Sequence, residues 1–251
     1  MERRIFIQST LATATLPFIG ITSEPINDTK EWYELRNYEI KFGANPNLLV
    51  RYLKEVLQVA MKAIGVNHFH IFNEYGKSDP RKIWVLISYP SAEVYLKAQQ
   101  LASDASFLKA AADYNTLPME QKIFNRFESS LLLAFDRLAT MQAPPSEAGL
   151  FELRIYEGYS EDAVNRKIKM FNLEEIDLFY KVGLSPVFFG EMLAGKYRPC
   201  LAYMLYFKDM EERDTNWADF SKHPDWNTMK VKKEYADSVS NIIRVFLTPL
   251  S

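Results

Sequence analysis

Two six-residue strings hold the densest set of chemically capable side chains in this 251-residue sequence: Glu34-Leu35-Arg36-Asn37-Tyr38-Glu39 and Glu152-Leu153-Arg154-Ile155-Tyr156-Glu157. Five of their six positions are identical, at an offset of 152 − 34 = 118 residues. Side chains alternate along a strand, so Glu34, Arg36 and Tyr38 share one face, as do Glu152, Arg154 and Tyr156. The other face of the second string is apolar, with Phe151, Leu153 and Ile155. Helices are expected to cover the apolar face, which would turn the carboxylates, guanidinium groups and phenols inward, toward the opposite sheet. An arginine there is always charged and carries five donors, so it needs the adjacent glutamate. Such a cluster could hold a ligand's carboxylate or polar ring. It also reads as a paired charge that sets strand register.

His68 and His70 lie two residues apart and share a strand face with Phe72 and Glu74. With Glu34 or Glu74 they could ligate zinc or non-haem iron, although no third ligand is fixed by spacing. An imidazole titrating near neutrality could instead move a proton, with Tyr38 and Arg36 completing a catalytic set. Two ordinary strand residues satisfied by their neighbours are the plain alternative. The 118-residue offset places Pro186 and Phe188 opposite them, so any such site exists once. His223, flanked by Trp217 and Trp226, could close a barrel mouth over a carbohydrate or an aromatic ring. The spacing of Trp217, Phe220 and Trp226 equally suits one buried helix side. Trp84, in the apolar run Ile83 to Tyr89, completes the ligand-facing set.

Other chemistries are absent. A single cysteine, Cys200, excludes an internal disulfide and any multi-thiolate metal cluster, and reads as a small buried hydrophobe. No serine elbow, HExxH pair or glycine-rich loop occurs, which disfavours common hydrolases, kinases and dinucleotide enzymes. No cofactor is expected. The 30 Lys and Arg against 32 Asp and Glu give a net charge of −2, with no basic footprint for nucleic acid.

The elements that must position these residues also recur at 118 residues, since Ile83 to Tyr89 aligns with Leu201 to Phe207. Each copy reads as strand, helix, hairpin, helix and strand. Helix-spaced apolar residues end at Gly65 in one copy and at Gly183 in the other, and Ser91 and Asp209 stand ready to cap the second helices. The order β-α-β-β-α-β is the ferredoxin-like unit, whose sheet keeps one face uncovered by helices. The expected fold is therefore α+β, with two tandem units forming an intramolecular, pseudo-dimeric α/β barrel. The expected divisions are residues 1–29 as export signal and linker, 30–140 and 149–251 as the two units, and 141–148, with Pro144-Pro145, as a linker.

Arg3-Arg4-Ile5-Phe6-Ile7 followed by a mildly apolar stretch resembles a bacterial twin-arginine export signal. Five polar residues and Pro17 make that stretch a poor bilayer span, so no integral span is expected beyond the signal segment. A periplasmic or otherwise exported protein follows as an expectation, and its exposed helices leave room for a homo-oligomer.

The duplicated Glu-Leu-Arg-x-Tyr strands, the hairpins and the late His223-Pro224-Asp225-Trp226 segment resemble the NIPSNAP family, over Glu31 to Leu138 and Leu150 to Ser251. The first copy departs by showing Asp104-Ala105-Ser106-Phe107 at the late segment. The resemblance implies the dimeric α/β-barrel fold and carries no settled chemistry. The expected function is to bind a small polar or aromatic metabolite inside the barrel or at its mouth. A cofactor-free oxygenase or metal-dependent isomerase using His68 and His70 is one alternative, and a structural or partner-binding envelope protein is another.

Overall fold

The computed structural model describes residues 30–250. Eight strands, β1 (Trp32–Ile40), β2 (His68–Glu74), β3 (Lys82–Tyr89), β4 (Phe124–Ala134), β5 (Leu150–Glu157), β6 (Ser185–Ala194), β7 (Cys200–Phe207) and β8 (Asn241–Pro249), form one closed antiparallel barrel. Their circular order is β1-β3-β2-β8-β5-β7-β6-β4. The export signal assigned to residues 1–29 lies outside the described residues.

The four longest helices among the described residues lie on the outside: α1 (residues 47–63), α2 (Ala92–Gln99), α3 (residues 161–181) and α4 (Met210–Lys222). Side chains of Ser91, Ser160 and Asp209 accept hydrogen bonds from the first turns of α2, α3 and α4, satisfying amides that the helices themselves leave unpaired. Both α1 and α3 widen into a π-helical turn, at Tyr52–Leu57 and Phe171–Glu175. Among the described residues no helix is long and apolar enough to cross a membrane.

The central strands are apolar on both faces because both faces are covered. In β3, Trp84 and Leu86 enter the barrel, while Ile83, Val85 and Ile87 pack under α1 and α2. Every β1–β3 pair, from Trp32 with Tyr89 to Glu39 with Lys82, has a counterpart 118 residues later in β5–β7, from Leu150 with Phe207 to Glu157 with Cys200. Inside the barrel the two halves interlock. Tyr33 and Phe188 approach to 5.1 Å between ring centroids, and Phe72 and Phe151 to 4.9 Å.

The expected orientation of the repeated strings is reversed. Tyr33, Leu35, Phe151, Leu153 and Ile155 fill the barrel, whereas Tyr38 and Tyr156 belong to the layers beneath the helices. Glu34, Arg36, Glu152 and Arg154 lie on that same outward face by strand alternation. The physical reason is that the barrel centre is closed by two sheets and offers apolar neighbours from both. The helix layer, in contrast, brings polar side chains that can satisfy the charges.

Barrel closure rests on two short ladders. β2 pairs with β8 at three positions, Phe72 with Pro249, Asn73 with Thr248 and Glu74 with Leu247, and β4 pairs with β6 at four. The segment 141–148 is stitched into the barrel. Met141 N donates to Glu31 Oε2 at 2.7 Å, Gln142 N donates to the Val187 carbonyl at 2.8 Å, and Met141 and Ala148 are buried in the interior cluster.

Candidate functional site

The outward polar clusters are saturated. Glu34 accepts Nε (2.7 Å) and Nη2 (2.9 Å) of Arg36, the Tyr89 hydroxyl (2.7 Å) and the Ser129 hydroxyl (2.6 Å). Burial pushes its carboxyl up, but the Arg36 charge and these donors outweigh burial and hold it below its ordinary value. Glu152 accepts Arg154 Nε (2.7 Å), Arg213 Nε (2.9 Å) and Nη2 (3.0 Å), and Trp217 Nε1 (2.8 Å). Here too burial raises the carboxyl, and the Arg213 bonds and Arg154 charge bring it below the usual range. Arg154 Cζ sits 3.6 Å from the Trp217 ring centroid, and Tyr156 and Tyr203 share a 2.9 Å hydroxyl contact. Clusters this complete fix strands and helices to each other and leave few free lone pairs for a ligand.

The catalytic set of His68, His70, Arg36 and Tyr38 is not assembled. The sheet itself separates the histidines, which face the barrel interior with Phe72, from Arg36 and Tyr38, which face the helices. The two imidazole rings stack, with centroids 5.9 Å apart. Among the described residues no group of three or more His, Cys, Asp or Glu is placed to share a metal ion, so the pair lacks the further ligands that zinc or iron requires. His223 caps the short helix Pro224–Met229, its Nδ1 accepting Asp225 N at 3.1 Å, and closes no barrel mouth. Trp217 and Trp226 pack against the outer core of the second half. Burial pushes the Cys200 thiol up to about 12, in keeping with a small buried hydrophobe.

The unsatisfied polar groups lie on the opposite face of the first half's sheet. Among the described residues, the buried side-chain atoms without a hydrogen-bond partner are Tyr33 OH, Asn37 Oδ1, His70 Nε2 and Ser88 Oγ. All four belong to inward-facing positions of β1, β3 and β2. Their register forms successive rows: Tyr33, Ser88 and His68; then Leu35, Leu86 and His70; then Asn37, Trp84 and Phe72. The Tyr33 phenol lies beside the buried Glu31 carboxylate; burial first, then that charge and the approach of the carboxylate to the hydroxyl, push its ionisation far above the ordinary phenol value, so Tyr33 is the least isolated of the four. Glu31 itself accepts Asn67 Nδ2 at 2.6 Å and the Met141 amide. His70 is lowered to about 4, chiefly by burial and then by the neighbouring His68 and Lys62. Trp84 Nε1 donates to Glu74 Oε1 at 3.0 Å, which fixes the indole across the barrel floor.

A cleft opens beside the short β2–β8 ladder and reaches one of the four groups, His70. Above Phe72, β2 has no ladder partner on that side except one bond from Leu250 N to the Ile71 carbonyl, while the Phe69 carbonyl accepts the Gln58 side chain. The gap is a cleft of about 440 Å³, lined by His70, Phe72, Phe151, the Pro144-Pro145 pair, Ala148 and Pro249 among others. The second half keeps one hydroxyl, that of Tyr206, among the four equivalent positions. By register, Phe151 stands for Tyr33, Ile155 for Asn37, Phe188 for His70 and Tyr206 for Ser88.

Ser88 escapes sequence reasoning because it is one small polar residue in an apolar strand, and Tyr33 and Asn37 because the charged residues of β1 draw attention to its other face. The signal that marks Tyr33 and Asn37 is their replacement by Phe151 and Ile155 at the 118-residue offset.

No protein-family model and no curated protein matches the chain. Solved structures do. A provisionally assigned monooxygenase from Fusobacterium nucleatum is similar at TM-score 0.58 and 9% identity, covering 89% of this chain and 94% of that one. An anthrone oxidase-like protein is similar at TM-score 0.51 and 11% identity, covering 88% and 92%. A NIPSNAP-like domain protein from Burkholderia xenovorans matches only 42% of this chain, and 88% of its own, at TM-score 0.38 and 20% identity. At these identities the shared feature is the fold: the chain is an α+β protein built on a closed eight-stranded antiparallel barrel, similar to ferredoxin-like dimeric α/β barrels.

Proposed function

We propose that the inward face of β1, β3 and β2 binds a small planar aromatic molecule bearing a hydroxyl or N–H donor, admitted through the β2–β8 cleft. The observation that carries this reading is the pair of unpartnered buried atoms His70 Nε2 and Ser88 Oγ, which face the barrel on neighbouring strands. Each such group costs about 1–3 kcal/mol when left without a partner, so a fold that keeps both has a use for them. Phe72, Phe151 and the prolines supply apolar walls, and a 440 Å³ cleft is within the range of small-ligand sites.

The state of His70 selects binding over proton abstraction. With a pKa near 4, roughly one imidazole in a thousand is protonated at pH 7. The neutral ring offers one acceptor nitrogen and one N–H donor, and a phenol can pair with either at Nε2. As a general base it is weak, because efficient bases titrate near the working pH. An oxygenase acting on a bound phenol or enol is the second reading, favoured by the fold shared with the anthrone oxidase-like protein. It requires the ligand to raise His70 toward neutrality.

The test is titration of the full chain with 2-naphthol and with naphthalene, following tryptophan fluorescence and oxygen uptake. Binding of 2-naphthol that weakens at least tenfold in His70→Phe and in Ser88→Ala supports the site. Equal binding of naphthalene, or no binding of either compound, refutes it. Oxygen consumption that His70→Phe abolishes would select the oxygenase reading.

The matching 118-residue registers further support a duplicated ferredoxin-like unit as the origin of the two halves, in the manner of a NIPSNAP-like pair. The twin-arginine-like start supports export. Replacement of Arg3-Arg4 by Lys-Lys, followed by fractionation of a bacterial host, is expected to shift the protein out of the exported fraction.

A further inference from the structure

The barrel has a second mouth, opposite the β2–β8 cleft, where β1 and β6 end and β3 and β4 begin. A cavity of about 500 Å³ opens there, with Asn37 among its lining residues. The unpartnered Asn37 Oδ1 is buried beneath it, in the same row as Trp84. The rim is cationic. Lys41, Lys82, Arg126 and Lys196 line the cavity against two carboxylates, Glu39 and Glu128. Glu128 is engaged by Lys196, whose Nζ lies 3.0 Å from its Oε1. Lys82 approaches Glu74 only to 3.9 Å. Arg126 has no hydrogen bond or ion pair among the described residues, and it is exposed at the opening.

One wall of this mouth is held rigid. The β6–β7 turn carries Lys196 and Tyr197, and Tyr197 adopts a left-handed backbone at φ 71° that non-glycine residues seldom occupy. The turn is seated on β4 through Gly195, at φ 139°, where a β-carbon would come within 2.4 Å of Ser130 Oγ. Close approach therefore requires glycine there, and it places Tyr197 and Lys196 at the opening, with Lys196 held by Glu128 and lying 5.1 Å from the Tyr197 ring centroid. Such preorganisation reduces the ordering cost of binding.

We propose that this mouth is a ligand site distinct from the β2–β8 cleft, selective for a small hydroxycarboxylate. Arg126 receives the carboxylate, with its planar fork suited to both oxygens, and Asn37 Oδ1 accepts the hydroxyl hydrogen at the floor. Tyr197 covers the carbon frame between them. The lining holds four cations against two carboxylates, and this excess draws anions toward the opening, an attraction that salt weakens.

The proposal is tested on the full chain by amide NMR titration with three probes: 4-hydroxybenzoate, 4-hydroxybenzamide and benzoate. The expected result is shifts at Asn37, Arg126 and Tyr197, with 4-hydroxybenzoate binding about tenfold tighter than either analogue. Arg126→Gln should remove the advantage of the carboxylate over the amide. Asn37→Leu should remove the advantage of 4-hydroxybenzoate over benzoate. Shifts confined to His70 and Phe151 would place the probe in the other cleft and overturn the proposal. Absence of shifts at the mouth, equal affinity for the amide, or an unchanged Arg126→Gln would overturn it as well.

Discussion

The two halves share a backbone register and dispose their polarity in opposite directions. The first half keeps Tyr33, Asn37, His70 and Ser88 facing the barrel without partners, where the second half has Phe151, Ile155, Phe188 and Tyr206. Beneath the helices the order reverses. The second half adds Arg213 and Trp217 to the Glu152 cluster, and places a Lys167–Glu175 pair, 2.5 Å apart and buried, where the offset of 118 gives Leu49 and Leu57 in the first half. One half is locked from outside and mainly apolar within. The other is simpler outside and unsatisfied within, as a half that carries a binding site should be.

The largest way to break this contrast is to unlock the second half. Glu152→Ala strands the buried Arg154 and Arg213 charges and should destabilise the fold by about 3–5 kcal/mol, the range for removing one member of a buried ion pair. For a chain of this size that is a fall in melting temperature of roughly 10 °C, read by calorimetry. Glu34→Ala should cost less, because Tyr89 and Ser129 are neutral donors that lose only a hydrogen bond.

A second experiment equalises the inner faces. His70 titrates near 4 in the folded chain and near 6.5 when unfolded, so the unfolded chain takes up the proton first. Its contribution to stability is therefore complete above pH 6.5 and lost as pH falls toward 4, to a total of about 3 kcal/mol. His70→Phe, which copies the second half's Phe188, should flatten this acid limb in urea titrations at pH 4, 5, 6 and 7. An unchanged limb would show that His70 is already solvated. The smallest effect is expected at His223→Ala, which removes only the cap of the short helix Pro224–Met229. A loss of about 1 kcal/mol with no change in ligand binding would keep His223 out of the site.

The register of the halves was legible because identical residues recur at a fixed offset, and the helix caps because Ser91 and Asp209 precede their helices directly. The orientation of the repeated strings was not legible. Both faces of β3 are apolar, so Ile83, Val85 and Ile87 cannot be told from Trp84 and Leu86 until the barrel closes. Arg213 and Trp217, which satisfy Glu152, lie 61 and 65 residues from it in sequence, and no local pattern announces their meeting. The inner site was half visible: the histidine pair was seen as unmatched in the second copy, while Tyr33 and Ser88 pass for ordinary strand residues.

The three-pair ladder between β2 and β8 has a dynamic consequence. Ladders within each half run to eight pairs, so thermal opening should begin where the stitching is shortest. Amides of β2 are then the ones to exchange with solvent hydrogen well ahead of those in β5 and β7. A guest could slip between the staves of the barrel in such a local breath, with the remainder of the wall standing.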